Sequence, residues 1–185
     1  MVAQTIPEDR PLTADDFMSL PMEDGHLYEL LQGELVLSPS PEIMHQRISR
    51  RLVVRLDTEL QSRDFGEVFY APTAVVLSEN DVVEPDLFVI RKAQADFLTR
   101  QSFNGAPAIV FEILSPSNRQ LDLQRKALLY ANVGVEEYWM GDPEKRRILI
   151  QRLVEGKVDL EIFTSGSVTS AVLSGFSVGI DEIFS

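Results

Sequence analysis

Glu29, Asp86, Glu112 and Lys126 stand out from the 185-residue chain because of what surrounds them. Asp86 follows Pro85 inside VVEPDLFVI, and Glu112 lies between Phe111 and Ile113 in APAIVFEIL. An apolar strand is a costly place for an ionised carboxylate unless a cation or a hydrogen-bond network holds it. Oxygen donors of this kind suit a hard divalent cation such as Mg2+ or Mn2+, which keeps several waters and takes few carboxylates. Such an ion activates water and stabilises the charge that builds on a phosphate. An ammonium beside it, here Lys126, would orient the water or share that developing charge. Each residue also has a plainer reading. Pro85-Asp86 is a common strand-start dipeptide, and Glu112 would serve equally as one half of a structural bridge to Arg125 or Lys126.

Other chemistries are absent from the sequence. Without cysteine there are no disulfides, thiolate zinc sites or cysteine nucleophiles. Two histidines, His26 and His45, are too few for a histidine-rich metal cluster. No GxSxG elbow, Walker A loop or GxGxxG fingerprint occurs.

The elements that must position these residues follow from pattern. After an N-terminal arm, residues 1–12, Thr13 caps a short helix and Asp16 completes a capping box. YELL and ELVLS flank Gln32-Gly33 as a hairpin carrying Glu29 and Glu34. From Glu42 to Ser62 the residues Met44, Ile48, Leu52, Leu56 and Leu60 mark the buried stripe of a helix. Arg47, Arg50, Arg51 and Arg55 lie on another face, either a solvated one or a strip that contacts phosphate. VVEPDLFVI reads as one strand, and APAIVFEIL as a central strand covered on both faces. The helix after Ser115-Pro116-Ser117-Asn118 puts Asp122, Lys126 and Tyr130 on one face at i, i+4 spacing. Leu121, Leu128 and Leu129 make its apolar side, and Gly134 ends it. VEEYWM, a hairpin about Glu155-Gly156, and a C-terminal strand and short helix complete a mixed α/β order within one domain, residues 13–185.

At 44% hydrophobic and 25% charged, the composition is that of a soluble globular domain with a single core. No run reaches the length of a membrane span, and the N-terminus lacks the basic start and apolar centre of a signal peptide, so a cytoplasmic location is expected. The net charge of −12 opposes a broad nucleic-acid clamp, which ordinarily presents a basic surface.

EPD, FEILSPSN, the D-L-x-x-K-x-x-x-Y stretch and G-V-x-E-Y-W together resemble the Uma-type "putative restriction endonuclease" family of the PD-(D/E)XK nuclease superfamily. The resemblance runs from TADDFMSLP to GFSVGIDEIF. It implies a restriction-endonuclease-like core, a central mixed sheet flanked by helices, and metal-dependent hydrolysis of DNA phosphodiesters with Mg2+ or Mn2+. Asp86 then matches the acid of PD and Glu112 the (D/E), with the Ile113 carbonyl as a further metal ligand. Leu114 stands where the motif lysine belongs, and Lys126 would supply the ammonium from the next helix. Glu29 matches the acid of the first element, while Tyr130 matches the aromatic after the lysine. His45 and Arg47 are further candidates for phosphate contact. Cleavage of duplex DNA would use a homodimer with one site per strand. Two alternatives stand beside this: a binding or regulatory module on the same fold, and a hydrolase of a smaller phosphorylated substrate.

Overall fold

Thr13 caps the first helix, α1 (Ala14–Ser19): its hydroxyl accepts from the Asp16 amide and the Asp16 carboxylate accepts from the Thr13 amide. A computed structural model of the chain describes residues 10–21, 27–38 and 41–185, so most of the N-terminal arm and His26 lie outside it. The described end of the arm is anchored. Leu12 is buried, its amide donates to the Gly33 carbonyl at 3.0 Å, and its carbonyl accepts from Asn80.

Strands β1 (Leu27–Leu31) and β2 (Glu34–Ser38) form the expected hairpin. Gln32 and Gly33 have φ of 55° and 77°, the two positive values that a type I′ turn requires. Helix α2 (Ile43–Arg63) buries Ile48, Leu52, Leu56 and Leu60. Met44 departs from the expected stripe. It is exposed, because the first turn of α2 overhangs a cavity instead of meeting the sheet.

Next come β3 (Gly66–Tyr70) and β4 (Ala74–Ser78), and then the run read as a single strand divides. Its halves are β5 (Asp81–Val83) and β6 (Leu87–Arg91), which belong to different sheets. Pro85 has no amide to donate to a ladder, so the chain crosses between the sheets at Glu84-Pro85-Asp86. A 3-10 turn (Lys92–Phe97) and β7 (Ser102–Asn104) lead to β8 (Ile109–Ile113), buried along its whole length. The following helix begins as a π turn, Leu121–Lys126, and continues as α3 (Ala127–Val133). Gly134, at φ 90°, ends it. Leu128 of α3 is exposed, so the apolar side of this helix is narrower than its leucines suggest. Strand β9 (Glu137–Asp142), the hairpin of β10 (Arg147–Val154) with β11 (Lys157–Phe163), the pair β12 (Ser167–Thr169) and β13 (Ser177–Gly179), and helix α4 (Ile180–Phe184) complete the chain.

Six strands form the central mixed sheet in the order β11-β10-β9-β8-β6-β3, with β8 and β9 parallel and the other neighbours antiparallel. Helix α2 and the C-terminal segment cover one face through Ile48, Leu56, Phe176 and Ile183, packed on Leu87, Val89 and Trp139. The other face carries α3 and a second sheet, β2-β1-β5-β4-β7, with Phe88, Val110 and Tyr138 meeting Leu31, Val75 and Tyr130. This is the expected mixed α/β architecture, with a second sheet in addition to the flanking helices. Among the described residues no helix is long and apolar enough to cross a membrane.

Candidate active site

Four segments meet where β8 ends and β6 begins. Strand β1 brings Glu29, the crossing brings Asp86, β8 brings Glu112, and the π turn brings Asp122 and Lys126. Glu112 alternates with Phe111 and Ile113, which enter the core on the α2 side, so its carboxylate emerges on the opposite face, toward α3. Lys126 is 3% exposed. Its ammonium lies 2.9 Å from Glu29 Oε1, 2.9 Å from Glu112 Oε1 and 3.5 Å from Asp122 Oδ1. Tyr130, one turn further on, donates its hydroxyl to Glu112 Oε1 at 3.1 Å. The i, i+4 face of the sequence is therefore a real face, and all three of its members converge on the acids.

Asp86 is held from two sides. The Ile113 amide donates to its Oδ2 at 2.6 Å, and His45 Nε2, from the first turn of α2, lies 2.9 Å from the same oxygen. The Asp86 amide in turn donates to Glu112 Oε2 at 3.4 Å. Arg47, by contrast, is exposed and does not line the cavity at this site, whereas Arg50 does.

Electrostatics sets the character of the site. Burial alone would lower the Lys126 pKa, yet Glu112, Glu29 and Asp122 outweigh it and hold the ammonium well above its ordinary range. Burial, reinforced by Asp86, Asp122 and Glu29, pushes Glu112 up in spite of Lys126. Asp122 is pushed up to about 6, again first by burial. Glu84, two residues before Asp86, is raised by burial and by Glu29, and its amide donates to Glu29 Oε1 at 3.0 Å. A single ammonium thus faces Glu29, Glu112 and Asp122, with Glu84 close by, and it does not neutralise them. Glu29 Oε2 is buried and has no hydrogen-bond partner among the described residues. The cluster is short of positive charge, as a cation-binding pocket is. Among the described residues, no three histidine or acidic side chains form a ready metal cage. That is compatible with Mg2+, which needs only one or two carboxylates beside its waters and its substrate.

The sequence did not single out Glu84 or Tyr70, it offered Arg50 only as one of four arginines on a face of α2, and it placed Asp122 only as a neighbour of Lys126. Glu84 had a signal, a charged residue directly after the buried Val82-Val83. Arg50 had its place on the arginine face of α2, and Tyr70 had none beyond residue type. They join the site only because α2 and the end of β3 border the same cavity of about 860 Å3.

The site is thus an acid-lined pocket at the end of a mixed sheet, with a lysine drawn in from the following helix. The chain belongs to the Uma2 family, described as "Putative restriction endonuclease", whose profile matches residues 14–181. Its fold is that of a solved structure from Anabaena variabilis, titled as a "putative nuclease belonging to DUF820". That structure superposes with a TM-score of 0.80 at 20% identity, over 94% of this chain and 98% of the other. No curated protein matches the chain.

Proposed function

We infer that the protein is a metal-dependent endonuclease that hydrolyses DNA phosphodiester bonds, with Mg2+ or Mn2+ as its cofactor. Family membership supports a nuclease function. The observation that carries the finer reading is the surplus of buried carboxylate around one buried ammonium. Asp86 and Glu112 would hold the ion, with the Ile113 carbonyl and Glu29 as additional donors. The ion supplies an activated water and charge stabilisation at the phosphorus. In hydrolysis water adds to phosphorus, one P–O ester bond breaks, and the departing sugar oxygen takes a proton.

The chain's own groups have separable tasks. Lys126 stays charged, so it is no general base; it fixes Glu112 and Glu29 and offers positive charge to the phosphate as that group gains charge. Tyr130 donates to Glu112 and restricts its rotamer. His45 positions Asp86 through their contact, and Arg50 replaces Arg47 as the cavity's candidate for phosphate contact. Duplex cleavage would use a homodimer. Strand β11, at the edge of the central sheet, exposes Val158, Leu160 and Ile162 on one face, where a second copy could pair.

A binding or regulatory module is the second reading, favoured by the net charge of −12 and by the hold that Glu29 and Glu112 keep on Lys126. Cleavage of plasmid and single-stranded DNA in Mg2+ or Mn2+ separates the two. The nuclease reading expects activity abolished by chelator and reduced about a hundredfold or more by Glu112→Gln and by Lys126→Met. A folded wild type that neither cleaves nor binds the ions calorimetrically would leave the module.

A further inference from the structure

We propose that the site takes DNA as a locally unpaired strand, and that Tyr70 is the platform on which a base beside the scissile phosphate stacks. The inference rests on the nuclease reading and deepens it. Tyr70 ends β3 with its side chain 60% exposed, an unusual setting for a large ring that lines a cavity. Alternation along the strand fixes its direction. Phe69 stacks on Phe88 on one face of the sheet, so Tyr70 shares the other face with Val68, toward α2. There Met44, Val53 and Val54 of α2 border the same cavity, giving an apolar wall beside an acidic floor.

Register places this wall next to the chemistry. Tyr70 pairs directly with Leu87, the neighbour of Asp86, and the Ala71 amide donates to the Asp86 carbonyl at 3.2 Å. Paired strands lie ~5 Å apart, so a phosphate beside Asp86 and a base over Tyr70 belong to the same or adjoining nucleotides.

A stacked duplex cannot use such a wall. It presents sugar and phosphate outward, and the apolar side chains would desolvate those charges without satisfying them. An unpaired strand exposes the π-face of each base, which an aromatic ring accepts whatever the sequence. The charge distribution agrees. Arg50 is the arginine that lines the cavity, it has no ion pair among the described residues, and the chain as a whole carries −12. A duplex clamp would need many such cations; a splayed strand held by stacking and one or two phosphate contacts does not.

The test uses the full chain, Ca2+ in place of Mg2+ during binding, and oligonucleotides carrying 2-aminopurine, whose fluorescence falls on stacking. Single-stranded DNA should bind at least tenfold more tightly than its duplex, with quenching. Tyr70→Ala should weaken single-strand binding about tenfold and abolish the quenching, while Tyr70→Phe and Tyr70→Trp retain both. Duplex binding should be the same in all four proteins. Equal affinity for duplex and single strand, or quenching that survives in Tyr70→Ala, would overturn the proposal. Because Tyr70 is exposed, the variants are expected to fold, and circular dichroism checks this. In Mg2+, duplex cleavage as fast as single-strand cleavage and indifferent to Tyr70 would sink the stacking inference while leaving the nuclease. Tyr70-dependent quenching without cleavage would sink the nuclease and support the platform.

Discussion

Lys126 and Asp142 show two ways of housing buried charge. Around Lys126 the acids outnumber the cations, and the imbalance marks a site. Asp142 is its opposite: fully buried, it accepts from Arg119, from Arg147 at 2.9 Å and from the Lys145 amide at 3.2 Å. Burial alone would raise its pKa, but the hydrogen bonds from Arg119, Arg147 and Lys145 prevail and hold it below the ordinary carboxylate range. Because the folded value is depressed, the stabilisation is complete above the unfolded value, near ~3.9, and is lost as the pH falls through the folded one. Asp142→Asn should therefore destabilise the protein by about 3 kcal/mol near neutrality, since it takes the carboxylate from Arg147 and leaves Arg119 only the exposed Glu144. It should also flatten the acid limb of a stability–pH curve measured by urea unfolding. A variant with the wild-type acid limb would show that another group governs acid sensitivity.

The π turn and the sheet crossing do for the chain what side-chain chemistry alone could not. Pro85 was visible in the sequence, but not its consequence, that VVEPDLFVI is shared between two sheets and Asp86 hangs at their junction. The i, i+4 spacing of Asp122, Lys126 and Tyr130 was legible, whereas the π turn was not, because it has no periodicity of its own over so few residues. Close approach between β3 and β6 is a third such feature. A Cβ on Gly66 would collide with the Ile90 carbonyl and come within 2.9 Å of Arg91 Cα, and a backbone cannot move aside as a flexible side chain can. Gly66→Ala should cost about 1–3 kcal/mol and should loosen the strand that ends at Tyr70. Equilibrium denaturation measures the first effect, and hydrogen exchange of the β3 amides measures the second. An unchanged midpoint would mean that the two strands separate freely.

Taken whole, the molecule is acidic, and its free cations near the cavity are few. Arg51 and Arg55 of α2, which the sequence left open as phosphate contacts, instead bind the C-terminal segment: Arg51 donates to the Ile183 carbonyl at 2.8 Å and Arg55 to the Ser177 carbonyl at 3.0 Å. With Arg50 and the partly committed Lys126 as the cations at the cavity, binding of single-stranded DNA should depend weakly on salt. The slope of log K against log salt should be about −1 to −2, since each phosphate contact on a single strand contributes roughly −0.7. A slope of about −5 or steeper in anisotropy titrations at fixed Ca2+ would reveal a basic track that these arginines do not provide.

The mixed α/β class, both hairpin turns, the α2 stripe from Ile48 to Leu60 and the acids Glu29, Asp86 and Glu112 were all readable from the chain. Each is written in local periodicity, in turn chemistry or in a charge set among apolar neighbours. Partners were not. Lys126 reaching Glu29 across 97 positions, His45 steadying Asp86, and Tyr70 facing the same cavity as Val54 depend on how two sheets and a helix pack. Periodicity says which face of an element is buried, but only packing decides which other face it meets.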